Sequence, residues 1–150
     1  RETAVYGMFG GAANVTDGRY TYFLYPQDMR GQTLCEHTLM PTHMRSHFAP
    51  EELLEAELVG PFDFTKGLKV LRAPARMDSP RSPLKGASVE DTRTVLYDLA
   101  TDPGQVHPVS EPAVEQRLAA ALSETLEAHD APGEAYRRFG LTPPANLSVP

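Results

Sequence analysis

Hydrophobic and polar residues alternate in the first part of the chain, and this alternation predicts β-structure. Residues 4–9 alternate well enough for a strand, residues 12–16 form a second one, and residues 19–25 alternate with aromatic and β-branched side chains. Asp17-Gly18 separates the last two segments and is typical of a two-residue hairpin turn. We therefore predict a β-hairpin from these two strands.

Short apolar stretches further along the chain, separated by several of its 14 prolines, predict smaller elements. A short helix is expected from Pro50, with an apolar face formed by Leu53, Leu54 and Leu58. Residues 72–91 contain three prolines and few apolar side chains, which predicts a surface loop. Three more strands are predicted over residues 34–40, 68–71 and 94–99.

A four-residue apolar repeat in the last third of the chain predicts one long amphipathic helix. Ser110 is the expected N-cap, and a shorter helix over residues 134–139 ends at Gly140. The stripe that would face a sheet consists of Val114, Leu118, Leu122 and Leu126.

These elements predict an α+β fold, in which a small antiparallel β-sheet packs against one long C-terminal amphipathic helix and short helices accompany it. We expect one domain over residues 1–141 and a flexible tail over residues 142–150.

Composition narrows the classes of partner. With 14 basic and 20 acidic residues the net charge is −6, so no field attracts the phosphates of nucleic acid. No apolar run approaches the roughly 20 residues that span a bilayer, so we expect no membrane partner. The single cysteine, Cys35, cannot form an internal disulfide and is expected to be a buried thiol.

Polar side chains between residues 37 and 66 are the candidates for substrate binding. His43 and His47 are four residues apart and on a helix would share one face, as zinc ligands can. A further ligand is not apparent, so we assign no metal site. Two alternatives stay open for His37, His43, Arg45 and His47: they line a substrate cleft, or they are ordinary polar residues of the surface or core. Lys66 either contacts an anion or lies in a turn.

Two segments resemble known proteins. Residues 96–105 resemble the Leu-Tyr-Asp-Leu-x-x-Asp-Pro-x-Glu segment near the C-terminus of many sulfatases, with Gln105 in place of the usual Glu. Residues 14–22 resemble the Asn-x-Thr-Asp-Gly-Arg-Tyr-x-Tyr hairpin that follows the catalytic domain in a bacterial branch, and residues 39–44 and 64–67 are also similar to that branch. The chain thus resembles the C-terminal domain of a bacterial sulfatase, in the alkaline-phosphatase-like superfamily.

The resemblance implies a parent enzyme that hydrolyses sulfate esters with a formylglycine and a calcium ion. The formylglycine is made from a Cys/Ser-x-Pro/Ala-x-Arg motif, whereas Cys35 is followed by Glu36-His37-Thr38-Leu39. We therefore assign no catalytic residue and expect no cofactor in these 150 residues. The expected partner is the enzyme's own catalytic domain, beside whose sulfate-ester cleft the loops of this chain would lie.

Alone, the chain is expected to be inactive and to expose apolar surface through which it forms a homodimer. The composition is ordinary for a soluble protein, and the resemblance to a bacterial family leaves the compartment open between cytoplasm and periplasm. Two alternatives stay open: a stand-alone binding or assembly module, and the equivalent part of a related phosphodiesterase or phosphoglycerol transferase. Residues encoded upstream would discriminate between them, because the formylglycine motif and a different serine or threonine nucleophile indicate different enzymes.

Overall fold

A computed structural model describes residues 2–40, 42–43, 46–75, 92–145 and 147. These residues form two compact units: the first comprises those up to residue 32 and from residue 92 onward, the second residues 33–75. The described elements are β1 (Ala4–Gly7), β2 (Ala13–Thr16), β3 (Tyr20–Leu24), β4 (Cys35–Thr38), β5 (Thr42–His43), β6 (Ser46–His47), α1 (Pro50–Leu54), β7 (Glu57–Val59), a 3₁₀ turn (Asp63–Thr65), β8 (Val70–Pro74), β9 (Val95–Asp98), α2 (Pro112–Ala128) and α3 (Gly133–Arg138).

Antiparallel sheets and a few helices confirm the predicted α+β class. Within the described ranges, no helix is both long and apolar enough to cross a bilayer. The predicted domain boundary at residue 141 stays a prediction.

The first unit is built on a four-stranded antiparallel sheet in the order β1-β2-β3-β9. The predicted hairpin is its centre, with Val15 opposite Tyr22 across β2 and β3. On its other side β3 pairs with β9, and there Tyr22 lies opposite Leu96. Because side chains alternate along a strand, these three residues lie on the same face of the sheet.

The hairpin turn differs by one residue from the prediction. Asp17 and Tyr20 form the last backbone pair, since the Asp17 N–H donates to the Tyr20 carbonyl at 3.2 Å, so the two central residues are Gly18 and Arg19. Only Gly18 has a positive φ, 90°, as in a type II′ turn. Asp17 instead accepts the N–H groups of Arg19 and Tyr20 on its carboxylate, which fixes the chain entering the turn.

Helix α2 covers the face of the sheet that carries the apolar side chains. Leu118 and Leu122 are buried, and Val114 and Leu126 pack beside them, so the predicted stripe is confirmed. The sheet and α3 complete this core with Val15, Tyr20, Tyr22, Leu24, Leu96 and Phe139.

The predicted N-cap of this helix was wrong by one residue. Glu111 is the N-cap and Pro112 begins the helix. The reason lies upstream, where Val109 donates its N–H to the Leu96 carbonyl at 2.8 Å and extends the pairing along β9. Ser110 therefore lies between this bridge and the N-cap.

The second unit contains a three-stranded antiparallel sheet in the order β4-β8-β7 and the separate β5–β6 ribbon. Its buried apolar side chains are few: Leu34, Cys35, Phe48, Val70 and Ala73. The thiol of Cys35 is buried, as predicted.

Strand β8 occupies the start of the predicted loop 72–91. It continues to Pro74. This residue lacks a backbone N–H, and it pairs with β4 at a position where β8 no longer has a partner in β7. The rest of that prediction, over residues 76–91, lies outside the described residues.

The apolar face predicted for α1 was wrong. Leu53 and Leu54 are exposed, Leu54 to 82%, and Leu58 belongs to β7 and is also exposed. The buried residue of α1 is Glu52, whose carboxylate accepts the N–H of Ala49 at 2.6 Å. The side of this five-residue helix that faces the unit therefore carries a polar contact.

We expect Leu118→Ala to destabilise the first unit by about 2–5 kcal/mol, because it leaves a cavity in a packed core. Urea unfolding followed by the fluorescence of Tyr20 and Tyr22, both buried in that core, measures the change. Leu54→Ala is the matched control and should shift stability by less than about 0.5 kcal/mol, since its side chain is exposed. Equal effects of the two variants would contradict the described core.

Candidate functional site

A histidine held between two carboxylates is the densest group of ionisable side chains among the predicted site residues. His43 Nδ1 lies 3.0 Å from Glu36 Oε2. Its Nε2 lies 3.2 Å from both carboxylate oxygens of Glu52. The Glu52 side chain is only 9% exposed, against 21% for His43 and 32% for Glu36.

Three separate elements bring this cluster together. Strand β4 carries Glu36, strand β5 carries His43, and α1 carries Glu52. The Glu52 carboxylate also reaches back to the N–H of Ala49, as a glutamate in the first helical turn commonly does. The ring of Phe48 packs against the imidazole, with 4.2 Å between centroids.

The chemistry of the cluster follows from its donors and acceptors. Ionised carboxylates only accept hydrogen bonds, so His43 can donate to both glutamates only when its ring carries two protons. In this arrangement neither ring nitrogen is open toward a substrate, as a general base would need to be. The two nitrogens also point away from each other, so the glutamates do not converge on one metal position. Across the described ranges no group of three or more side chains could hold a metal ion.

The other predicted residues do not join this cluster. His37 follows Glu36 on β4 and therefore points to the opposite face of the sheet, where its ring lies 5.9 Å from that of Phe62. His47 pairs with Thr42 in the ribbon, so it lies on the opposite face of the ribbon from His43. Arg45 lies outside the described residues.

His43 and His47 do not share a helix face, which the sequence analysis considered only on the condition that they lie on a helix. The segment is a β-ribbon whose strands have two residues each, not a helix. A spacing of four brings side chains together on a helix, whereas across a tight ribbon these two positions belong to different faces.

Lys66 lies in a turn, in agreement with one of its two predicted alternatives. It ends the 3₁₀ turn with a φ of 53°, and Gly67 follows with a φ of 83°. Its side chain is exposed. Contact of Lys66 with an anion stays a prediction.

The sequence analysis missed Glu36 and Glu52. A signal for Glu52 was present, since the glutamate three residues after Ala49 occupies the position that caps a first helical turn. Glu36 gave no such signal, because only the pairing of β4 with β8 and the docking of the ribbon bring it near His43.

The first unit contains a second polar cluster, which joins residues 14–22 to residues 96–105. Arg19 donates to both carboxylate oxygens of Asp98, from Nη2 at 2.9 Å and from Nε at 3.3 Å. The Asp98 side chain is 9% exposed, and the N–H of Ala100 also donates to it. The hydrogen bonds from Arg19 lower the pKa of Asp98, and they outweigh the opposing effect of burial.

The hairpin is also tied to the long helix. Arg117 of α2 donates to the second carboxylate oxygen of Asp17, and the Tyr20 hydroxyl lies 3.2 Å from both oxygens of Glu111. Burial alone would raise the pKa of Asp17, but hydrogen bonds from the Tyr20 N–H and from Arg117 together lower it. The turn residues of the first segment therefore contact the sheet and the helix.

A groove of about 290 Å³ lies beside the first strand. None of the four described candidate side chains lines it. Its walls come from the start of β1 and the last turns of α2: Thr3, Ala4, Val5, Glu124, Thr125, Ala128 and His129.

Searches against protein families, curated proteins and solved structures find no match for this chain. The resemblance to sulfatases drawn from residues 14–22 and 96–105 therefore stays a prediction.

We expect Asp98→Asn to lower the stability of the first unit at neutral pH. The pKa of Asp98 is lower in the folded state than in the unfolded chain, where it is about 3.9. The ionised carboxylate therefore stabilises the fold above the unfolded pKa, and this stabilisation is lost as pH falls through the folded pKa. The difference in urea midpoint between variant and wild type should thus shrink as the solution is acidified. Glu124→Gln, at an exposed position of α2, is the control and should follow wild type throughout. A constant difference for Asp98→Asn would contradict this role.

Proposed function

We propose that this chain is the C-terminal, non-catalytic part of a sulfatase, which packs on the catalytic domain and shapes the mouth of its sulfate-ester cleft. The observation that carries the proposal is the ion pair between Arg19 and Asp98. These residues come from the two sulfatase-like segments, are 79 positions apart, and are hydrogen-bonded partners in the fold.

The partners of the other charged residues in these segments support a structural role. Asp17 binds the turn and Arg117, while Asp102 accepts the N–H groups of Val106 and His107, each at 2.7 Å. A segment that completes a fold needs such contacts, whereas a catalytic segment needs polar groups directed at a substrate.

Exposed apolar side chains support a partner of the second unit. Leu54, Leu58, Phe64 and Leu68 are each between 61% and 82% exposed. Exposed apolar residues mark an interaction surface when they form one contiguous patch, and in the proposal these four residues do. In the proposal, the catalytic domain covers them.

The formylglycine and the calcium ion belong, in this proposal, to the catalytic domain. The candidate side chains of this chain would act at the mouth of the cleft. His47 and Lys66 are exposed and could face a sulfate ester, whereas His43 is already held by two glutamates.

One observation favours a second candidate, the stand-alone assembly module. Strand β1 is an edge of its sheet, and all four of its residues are exposed. An open edge strand can pair with another chain, including a second copy of this one. Light scattering over a range of protein concentrations tests this candidate, which predicts a dimer that persists when the upstream region is also present.

Activity assays test the first candidate. We expect the isolated chain to leave an aryl sulfate intact with or without calcium, and the gene product that includes the upstream region to hydrolyse it. The upstream region should contain the Cys/Ser-x-Pro/Ala-x-Arg motif. Turnover by the isolated chain, or an upstream region with a different nucleophile, would refute the proposal.

Copurification tests whether the exposed leucines of the second unit contact the catalytic domain. When this chain and the upstream region are expressed as two polypeptides, we expect them to purify together, and Leu54→Asp combined with Leu58→Asp to reduce recovery of the complex by about tenfold, as loss of buried apolar contacts predicts. Val106→Asp, at a residue that is 67% exposed in the first unit, is the control and should leave recovery unchanged. Equal recovery for all variants would place the interface elsewhere.

A further inference from the structure

We propose that the free edge of β1 and the last turns of α2 form a docking groove for an extended segment of a partner protein. This segment pairs with β1 as a further strand of the sheet and places a basic side chain beside Glu124. The inference is independent of the sulfatase proposal, since every residue in it belongs to the first unit.

The backbone of Val5 is directed to the open edge of the sheet. In an antiparallel sheet, successive residues direct their N–H and C=O groups to opposite neighbours. Asp17 donates its N–H to the Tyr20 carbonyl of β3, so the backbone of Thr16 faces β1, where it meets Ala4. Val5, the next residue, therefore directs its N–H and C=O away from β2, to a side on which no strand of the described ranges pairs with it.

The side chain of Val5 lies in the groove. It is on the same face of the sheet as Val15, the face that α2 covers. Thr125 and Ala128 of the helix form the opposite wall, and Thr125 donates its hydroxyl to the Ala121 carbonyl of its own helix at 2.8 Å. A strand paired with Val5 places the residue opposite it on this face, where small neighbours suit a β-branched apolar side chain.

Charge around the groove favours a basic partner. Glu124 and His129 line the groove, and Glu127 is exposed in the last turn of α2. The C-terminal end of a helix carries a partial negative charge, which basic side chains in the last turn offset, but α2 has no basic residue there. A Lys or Arg of the incoming strand supplies this cation. Edge-strand docking of this kind takes its affinity from the main chain and its specificity from the side chains that flank the pairing.

A second copy of this chain matches the groove less well. Residues 2–7, which include β1, contain Glu2 and no basic side chain. Antiparallel pairing of two β1 strands places both α2 helices on the same face of the joined sheet, so each copy brings Glu124 and Glu127 to that face. Like charges across an interface are unfavourable, which a partner with Lys or Arg avoids.

Peptide titration followed by NMR tests the groove. The probe is the blocked peptide Lys-Thr-Val-Thr-Val-Lys, added to the ¹⁵N-labelled chain, and Glu-Thr-Val-Thr-Val-Glu is its matched control. We expect the basic peptide to shift the amide resonances of residues 3–7 and 124–129 and to bind at least about tenfold more tightly than the acidic one. Shifts confined to other residues, equal binding of the two peptides, or binding of neither would overturn the proposal.

Reversal of one charge tests the role of Glu124. Glu124→Lys changes an exposed side chain and should invert the preference, so that the acidic peptide binds more tightly than the basic one. Gln116→Lys, at an exposed position near the start of the same helix, is the control and should keep the wild-type preference. A wild-type preference in Glu124→Lys would contradict the charge complementarity on which the proposal rests.

Val5→Pro tests strand pairing. Proline removes the N–H that is directed to the open edge, and edge strands tolerate proline at such positions. We expect affinity for the basic peptide to fall by about tenfold, whereas Val5→Thr keeps the N–H and the β-branched shape and should bind as wild type does. Equal affinities of these two variants would show that the main chain is not engaged. Glu124→Lys supplies the test if Val5→Pro fails to fold.

Light scattering identifies a second copy as the competing occupant. A wild-type dimer that Val5→Pro converts to a monomer, together with no binding of either peptide, would assign the edge to a second copy and overturn the proposal. These readouts do not depend on hydrolysis of a sulfate ester, so their failure and that of the sulfatase proposal are distinguishable.

Discussion

The first unit depends on β3 as the shared neighbour of two distant parts of the chain. This strand pairs with β2 on one side and β9 on the other, and its inward side chains form the floor on which α2 packs. The bidentate contact between Arg19 and Asp98 fixes the end of this pairing where the hairpin turns. The sheet, the packing of the helix and the contact between residues 14–22 and 96–105 all require this one strand to be paired on both edges.

The second unit follows a different physical rule. It buries few apolar side chains, so charged hydrogen bonds have a larger part in positioning its short elements. Its leucines and phenylalanines largely face outward, which leaves polar groups inside and apolar groups available to a partner. A unit of this kind is suited to lie against a larger protein, as proposed above.

Sequence reasoning succeeded where one periodic signal was strong. The alternation in residues 12–25 and the four-residue stripe from Val114 to Leu126 both predicted elements that the structure contains. It failed in the second unit, where elements of two to five residues are too short to show a period. There it assigned Leu53 and Leu54 to a buried face.

The sequence by itself determined the class of fold, the central hairpin and the long helix, because each depends on side chains that are near one another along the chain. Only the tertiary structure decided that Glu36 and Glu52 meet His43 and that Arg19 meets Asp98. Such contacts depend on which strands pair and on which face a short element docks. Strand pairing and docking depend on burial and hydrogen bonding summed over a whole unit, so no local sequence pattern predicts them.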